Sequence, residues 1–358
     1  MIFKSCCRRL GATGMLLLLS VAAPAQQKDE PIKLESTLVL VDAIVLSRKT
    51  NTAVGDLKRD DFKIEEDGKR QAITHFSREG LPLSVVLLLD ISGSMYPVID
   101  ELQRTALDAL SRLKPQDKVA LMVFANRPRL VSDLTTDHKI IAEKLDDLLD
   151  EASSIGSWTF INSGLLGAAR YLRANTTATE RRAIVLITDD VDTSSAGWES
   201  ARKTVERELF ETGATLCAIT FGPGGGVKSK VIRAGATAAI TVAAPGLGAI
   251  LIASRLLGRL KPTRGSAKYY AERTGGVAVE AKRDEAALHF AGVLELLRTR
   301  YTFGYAPADT TPDGRFREIS VTLSDRAKKE KGDVRVLARR GYYIRKEFDP
   351  RTYRIKNN

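Results

Sequence analysis

The chain has 358 residues, 44% of them hydrophobic and 28% charged, with a formal net charge of +11. That balance excludes a disordered, collagenous or disulfide-scaffold protein and leaves room for one large domain or two smaller ones. Positive charge is spread along the chain, with local excess at 228–233, 255–264 and beyond 339. Anionic surfaces are therefore accessible partners, whereas no nucleic-acid recognition motif is present and none is expected to bind.

The first 25 residues stand apart. Lys4, Arg8 and Arg9 form a basic start, 10–23 is a short apolar core, and Ala23-Pro24-Ala25 fits a small-x-small cleavage site. The pattern predicts a signal peptide over 1–25 and export to the periplasm, cell envelope or medium. The apolar core is short for a stable membrane span. Cys6 and Cys7 fall inside the 1–25 signal segment, so the exported chain keeps only Cys217, within the apolar run 214–221. It can form no intramolecular disulfide, and core packing is its expected role.

An N-terminal β segment spans 32–80. It holds a β-rich run at 36–46, a strand at 62–65, an Asp67-Gly68 hairpin signal and a strand near 71–76. From Pro82 the rhythm changes to strand, helix, strand, helix. Strand 83–89 is continuously apolar, as expected of a strand buried on both faces. Val98, Leu102, Ala106, Ala109, Leu110 and Leu113 follow at helical spacing. The strand "KVALMVFAN" comes next, with "RPRLVSDL" as an antiparallel partner. Asp137 caps a helix through 149, a third helix starts at 161, and 182–189, 198–212 and 214–221 read as strand, helix and strand. After an insertion at about 224–265 come a helix at 266–275, a strand at 276–281 and a last helix at 285–300. This alternation predicts a doubly wound, mostly parallel α/β sheet over 82–299. The 300–346 segment is β again, and 347–358 is a basic tail. Neither β segment is large enough to be stable alone. The two are expected to meet as one small sandwich into which the α/β domain is inserted.

The strand at 83–89 ends on an acid and continues Asp90-Ile91-Ser92-Gly93-Ser94. In an open α/β sheet, ligands sit beyond the carboxyl ends of the strands. Alternate spacing in a tight loop turns Asp90, Ser92 and Ser94 toward one point, with Gly93 allowing the turn. A carboxylate with hydroxyls is an all-oxygen set, suited to a hard cation such as Mg²⁺, Mn²⁺ or Ca²⁺ rather than zinc. Two more loops on the same edge offer oxygens: Thr159 ahead of the third helix, with Ser157 or Ser154 as the alternative in that loop, and Asp189 at the end of strand 182–189. The alternative reading of Asp90, Ser92 and Ser94 is an ordinary strand-to-helix turn with capping hydroxyls.

Asp90-x-Ser92-x-Ser94, with Thr159 and Asp189 lying 69 and 99 residues after Asp90, resembles the metal-ion-dependent adhesion site of von Willebrand factor type A domains. The flanks at 53–77, 298–323 and 334–344 resemble a bacterial secreted subfamily of such proteins. The resemblance implies that Ser92, Ser94 and Thr159 offer hydroxyls to a divalent cation, with Asp90 and Asp189 acting largely through water or from behind. It also implies an open coordination position that a partner's Asp or Glu fills, so that the chain binds and does not catalyse. Two positions depart from the family, which often has glycine at each. Trp158 would place an apolar surface at the rim, and Asp190 adds negative charge.

An enzyme reading has less to stand on. Ser94 lies outside Gly-x-Ser-x-Gly, there is no Walker loop, and His75, His138 and His289 are isolated. A metal-dependent hydrolase would need the cation to activate water with no poised base in view. A different rival comes from the insertion, whose 234–254 stretch carries no charge. The Pro245-Gly246 break suggests two short helices over 231–258. That hairpin could fold onto the domain, mediate envelope assembly, or touch a membrane surface.

Overall fold

The computed structural model describes residues 38–344, apart from 51, 79–80, 149–158, 178–179, 191–197, 222–237, 245–246, 255–265 and 312. The expected signal peptide over 1–25, Trp158, the basic tail and much of the insertion lie outside the described residues.

The centre is a six-stranded sheet in the order β12-β9-β8-β5-β6-β7. Its strands are β5 (Leu83–Asp90), β6 (Lys118–Phe124), β7 (Pro128–Thr135), β8 (Arg181–Thr188), β9 (Thr215–Phe221) and β12 (Ala278–Ala281). All neighbours are parallel except β7, which runs antiparallel to β6. Every residue of β5 is buried, and the alternation of its side chains divides them between two cores. Val85, Leu87 and Leu89 pack with Val98, Ile99 and Leu102 of α1 (Tyr96–Leu110) and with Phe290 and Leu294 of the last helix of this domain. Val86 and Leu88 face Ile161, Leu165 and Ala168 of α3 (Ile161–Asn175) and Val205 and Leu209 of α4 (Trp198–Thr212). A strand with helices over both faces has no polar side to show, which is why its sequence lacks alternation. The remaining helices here are α2 (His138–Asp146), α5 (Ala267–Thr274) and α6 (Ala286–Arg298). Asp137 does cap α2, its carboxylate accepting from the Lys139 amide. Cys217 is free and buried in the sheet. Among the described residues no helix is long and apolar enough to cross a membrane.

The N- and C-terminal β segments interleave. One antiparallel sheet has the order β15-β1-β13-β4, built from β1 (Val39–Ser47), β4 (His75–Ser77), β13 (Tyr301–Tyr305) and β15 (Val334–Ala338). The other has the order β16-β14-β2-β3, built from β2 (Phe62–Glu66), β3 (Lys69–Gln71), β14 (Phe316–Leu323) and β16 (Gly341–Tyr343). Val41, Phe303 and Tyr305 from the first sheet share one core with Ile64, Val321 and Tyr342 from the second. Stretches that read as single strands divide between the sheets. The chain crosses at 72–74 and again at Arg339-Arg340. A short helix, α7 (Asp325–Lys331), was not expected. Ser324 caps it by accepting from the Ala327 amide, and lysines fill its last turn.

The insertion differs from expectation. Ala238–Ala244 and Leu247–Ser254, β10 and β11, form an antiparallel two-stranded β-hairpin and not two helices. Ile240, Thr241, Val242, Ile250 and Ile252 are β-branched residues that fit a pleated surface better than a helix.

Sandwich and α/β domain join through buried polar groups. Arg181 Nε at the start of β8 donates to Asp42 of β1 at 2.7 Å, and its Nη2 donates to the Leu297 carbonyl. Thr302 donates to the other Asp42 oxygen at 2.8 Å. Arg300, fully buried, donates to the Gly275 carbonyl at 2.9 Å. Gly275 closes α5 at φ +78°, and a Cβ there would lie 2.4 Å from the Ala338 backbone, so glycine serves both the cap and the close approach of β15.

Candidate metal centre

β5 and β8 are each eight residues long, and Leu89 pairs with Ile187. Asp90 and Thr188 therefore come level at the carboxyl edge. Asp90 is completely buried. Its Oδ1 accepts from the Ser92 amide at 2.9 Å and its Oδ2 from the Thr188 hydroxyl at 2.7 Å. A single 3₁₀ turn, Gly93–Met95, follows Ser92 and is closed by the Met95 amide on the Ser92 carbonyl. This turn brings the Ser92 and Ser94 hydroxyls to 3.2 Å from each other. Ser94 then donates to Asp189 Oδ2 at 2.6 Å. Asp90, Ser92, Ser94 and Asp189 thus form one cluster, running from a buried acid to an exposed hydroxyl and a half-buried acid.

Thr159 reaches the same edge by a separate route. The amide of Phe160 donates to the Ala125 carbonyl at 2.9 Å, and that of Ile91 donates to the Phe124 carbonyl at 3.0 Å. The two loops hang from consecutive carbonyls at the end of β6, with Thr159 only 4% exposed. All five expected residues therefore lie on one edge, four of them in a single hydrogen-bonded group. Tyr96, 40% exposed at the start of α1, lies two residues past Ser94 on the rim.

Burial pushes the Asp90 carboxyl above its ordinary pKa. Hydrogen bonds from Ser92 and Thr188 oppose this, and the charge of Asp189 adds to it. Among the described residues no cation partners Asp90; its hydrogen-bond donors are all neutral. No group of three or more His, Cys, Asp or Glu among the described residues is arranged to hold a metal ion. The cluster is instead hydroxyl-rich with two acids, an all-oxygen set that fits a hard divalent cation. His138 bonds the Asp117 carbonyl and His289 lies beside Glu285, both on helices other than those bearing the cluster.

Thr188 escaped the sequence reading, because only the register of β5 against β8, seen in the folded sheet, places it beside Asp90. Asp190 has a role other than a solvated loop acid. It adopts φ +57°, its amide donates to Thr188 Oγ1 at 3.1 Å, and its Oδ1 accepts from the Ala267 amide at the start of α5 at 3.0 Å. The left-handed conformation explains why glycine suits this position, and aspartate is among the few other residues that tolerate it. Asp190→Ala should cost about 1–3 kcal/mol, from the lost helix-end acceptor and the strained φ together, and Asp190→Gly clearly less. Equal losses for the two in urea unfolding would contradict this assignment.

A family model matches part of the central α/β region. Residues 85–191 match the family model of the von Willebrand factor type A domain. The segment matched runs from β5 through the loop bearing Asp189 and Asp190. Among solved structures it is similar to an aerotolerance-related membrane protein of Bacteroides fragilis, at 20% identity over 60% of this chain and 98% of that one, with a TM-score of 0.38. It is also similar to BatB of Bacteroides thetaiotaomicron, at 19% identity over 60% and 97% of the two chains, with a TM-score of 0.40. A third similar structure is proximal thread matrix protein 1 of the mussel byssus with a zinc-occupied MIDAS motif. There the identity is 16% over 65% of this chain and 49% of that one, with a TM-score of 0.41. No curated protein matches the chain in sequence.

Proposed function

We propose that the protein is an exported binding module that recognises a partner carboxylate through a divalent cation. The observation that carries this reading is the Asp90–Ser92–Ser94–Asp189 cluster, with Thr159 on the same sheet edge. Ser92, Ser94 and Thr159 would hold the cation, and Asp90 and Asp189 would support it through water or their neighbours. When bound, the cation supplies an electrophilic position that a partner's Asp or Glu fills. Mg²⁺ is the first choice, with Mn²⁺ and Ca²⁺ of the same hard-oxygen preference. The fully buried Asp90 supplies negative charge behind the hydroxyls without itself reaching the surface. The site is read as non-catalytic, since the hydroxyl nearest an acid, Ser94, is held by a carboxylate and not by an imidazole.

Immobilised polyglutamate tests this reading. The chain is basic, so some polyglutamate will bind through charge alone, and the informative quantity is the difference between Mg²⁺ and chelator at constant ionic strength. Retention should fall at least about tenfold with chelator in the wild type and show no chelator effect in a Ser92→Ala/Ser94→Ala double variant. Equal retention with and without chelator in the wild type would contradict the reading. A second reading, assembly through the 231–258 segment, is favoured by one observation: among the described residues β10 and β11 pair only with each other, and outer strand edges of this kind pair with another chain. Loss of an oligomer on removal of that segment, indifferent to metal, would favour it.

A further inference from the structure

We propose that a cavity between the amino edge of the central sheet and the β-sandwich binds a small amphipathic carboxylate, with its charge on Arg339 and its apolar part against Phe210, Tyr342 and Ile344. The cavity has a volume of about 390 Å³, within the range of small-molecule sites. Its walls include the start of β8 at Arg181 and Arg182 and the start of β9 at Thr215. It therefore lies at the opposite end of β8 from Asp189, roughly 25 Å away at about 3.3 Å per residue.

The charges of the wall decide what fits. Its three acids already have cationic partners: Asp42 bonds Arg181 at 2.7 Å, Glu180 has Lys118 at 3.4 Å, and Glu211 has Arg173 at 2.9 Å and Arg207 at 2.7 Å. Arg182 is satisfied by the Thr176 hydroxyl and the Thr177 and Thr212 carbonyls. Arg339 is different. Its Nη2 donates to the Leu40 carbonyl at 2.6 Å, its guanidinium lies 5.6 Å from the centre of the Tyr342 ring, and its buried Nε has no partner among the described residues. No carboxylate among the described residues lies within ion-pair distance of it; burial holds its pKa below the ordinary arginine value, opposed by Tyr305, the Asp42 charge and Tyr342.

A half-buried guanidinium that lines a cavity, with no carboxylate within ion-pair distance and the Asp42 charge acting on it only from farther off, is an anion site in waiting. Gly213 makes room for it: a Cβ there would sit 3.1 Å from Arg339 Nη1. With Asp42, Glu180 and Glu211 in the same wall, a second negative charge on the ligand would be repelled, so a carboxylate monoanion fits better than a phosphate dianion. The rings of Phe210 and Tyr342 call for an apolar remainder.

The test is calorimetric titration of the full chain with octanoate and benzoate, beside their neutral counterparts octanol and benzyl alcohol. One saturable site is expected for at least one acid, with its alcohol bound at least about tenfold more weakly. Arg339→Gln should erase the preference for the acid. Thr310→Trp, which plugs the exposed lip of the cavity and leaves the buried charge in place, should abolish binding. Asp90→Ala should leave it unchanged, separating this site from the metal centre. The proposal is overturned if neither acid binds, if acid and alcohol bind equally, or if Thr310→Trp retains full affinity. Binding seen only after removal of 345–358 would assign the cavity to the chain's own tail and would overturn it too.

Discussion

Replacing Asp42 with Asn is expected to cost about 3–5 kcal/mol of stability near neutral pH, because it leaves buried cations without their carboxylate. Asp42 lies on β1 of the sandwich, and Arg181 on β8 of the α/β domain donates to it at 2.7 Å with only 5% of its side chain exposed. Burial alone would raise the Asp42 carboxyl. The charge and hydrogen bond of Arg181, the charge of Arg300 and the hydrogen bond from Thr302 outweigh it and hold the group below the ordinary carboxylate range. A carboxyl depressed in the folded state contributes stability that is fully present above its unfolded pKa of about 3.9. That contribution is lost as pH falls through the lower, folded value. The gap between wild type and Asp42→Asn in urea unfolding should therefore be widest near neutrality and narrow in strong acid. A loss below about 1 kcal/mol at neutral pH would show that the junction does not depend on this pair.

At the candidate metal centre the expected signs are different. Asp90 is wholly buried, receives only neutral hydrogen bonds and has the Asp189 charge nearby. In the absence of a cation this arrangement opposes folding, the usual condition of a site built for a ligand. Asp90→Asn removes the charge and keeps nearly the same shape. Without metal the variant should be no less stable than the wild type. With Mg²⁺ at a hundred times its Kd the wild type should gain about 2.7 kcal/mol, and the variant should gain essentially nothing. Urea unfolding of both proteins, with metal and with chelator, reads all four quantities. A variant clearly weaker than the wild type in chelator would mean that Asp90 is a structural anchor, and equal gains from Mg²⁺ would place the cation elsewhere.

The sequence made the α/β domain legible because its strands are buried on both faces and its helices alternate with them. The apolar run ending at Asp90 marks the strand end from which the site is built, and Asp-x-Ser-x-Ser needs only local geometry to converge. Thr188 was harder to see. It belongs to the cluster through strand register, a long-range property that no local spacing announces. Asp190 was read from its charge, whereas its backbone conformation and the amide of Ala267, 77 residues away, set its role. The sandwich strands divided at 72–74 and at Arg339-Arg340 because a chain crossing between two sheets keeps its β-rich composition through the corner. The 231–258 insertion was misread as helical because Pro245-Gly246 fixes a break without fixing what flanks it, and the β-branched residues on either side carried the better signal. Arg339 read as one more positive charge at the end of the last β segment, and only the tertiary fold places it beside a cavity.

The central claim is that the carboxyl edge of β5 and β8 holds a divalent cation. Calorimetric titration of the wild type and Asp90→Ala with Mg²⁺, Mn²⁺ and Ca²⁺ tests it most directly. Saturable heat from one site in the wild type, lost in the variant, is the predicted result. The same heat in both proteins, or none from any of the three ions in the wild type, would contradict it.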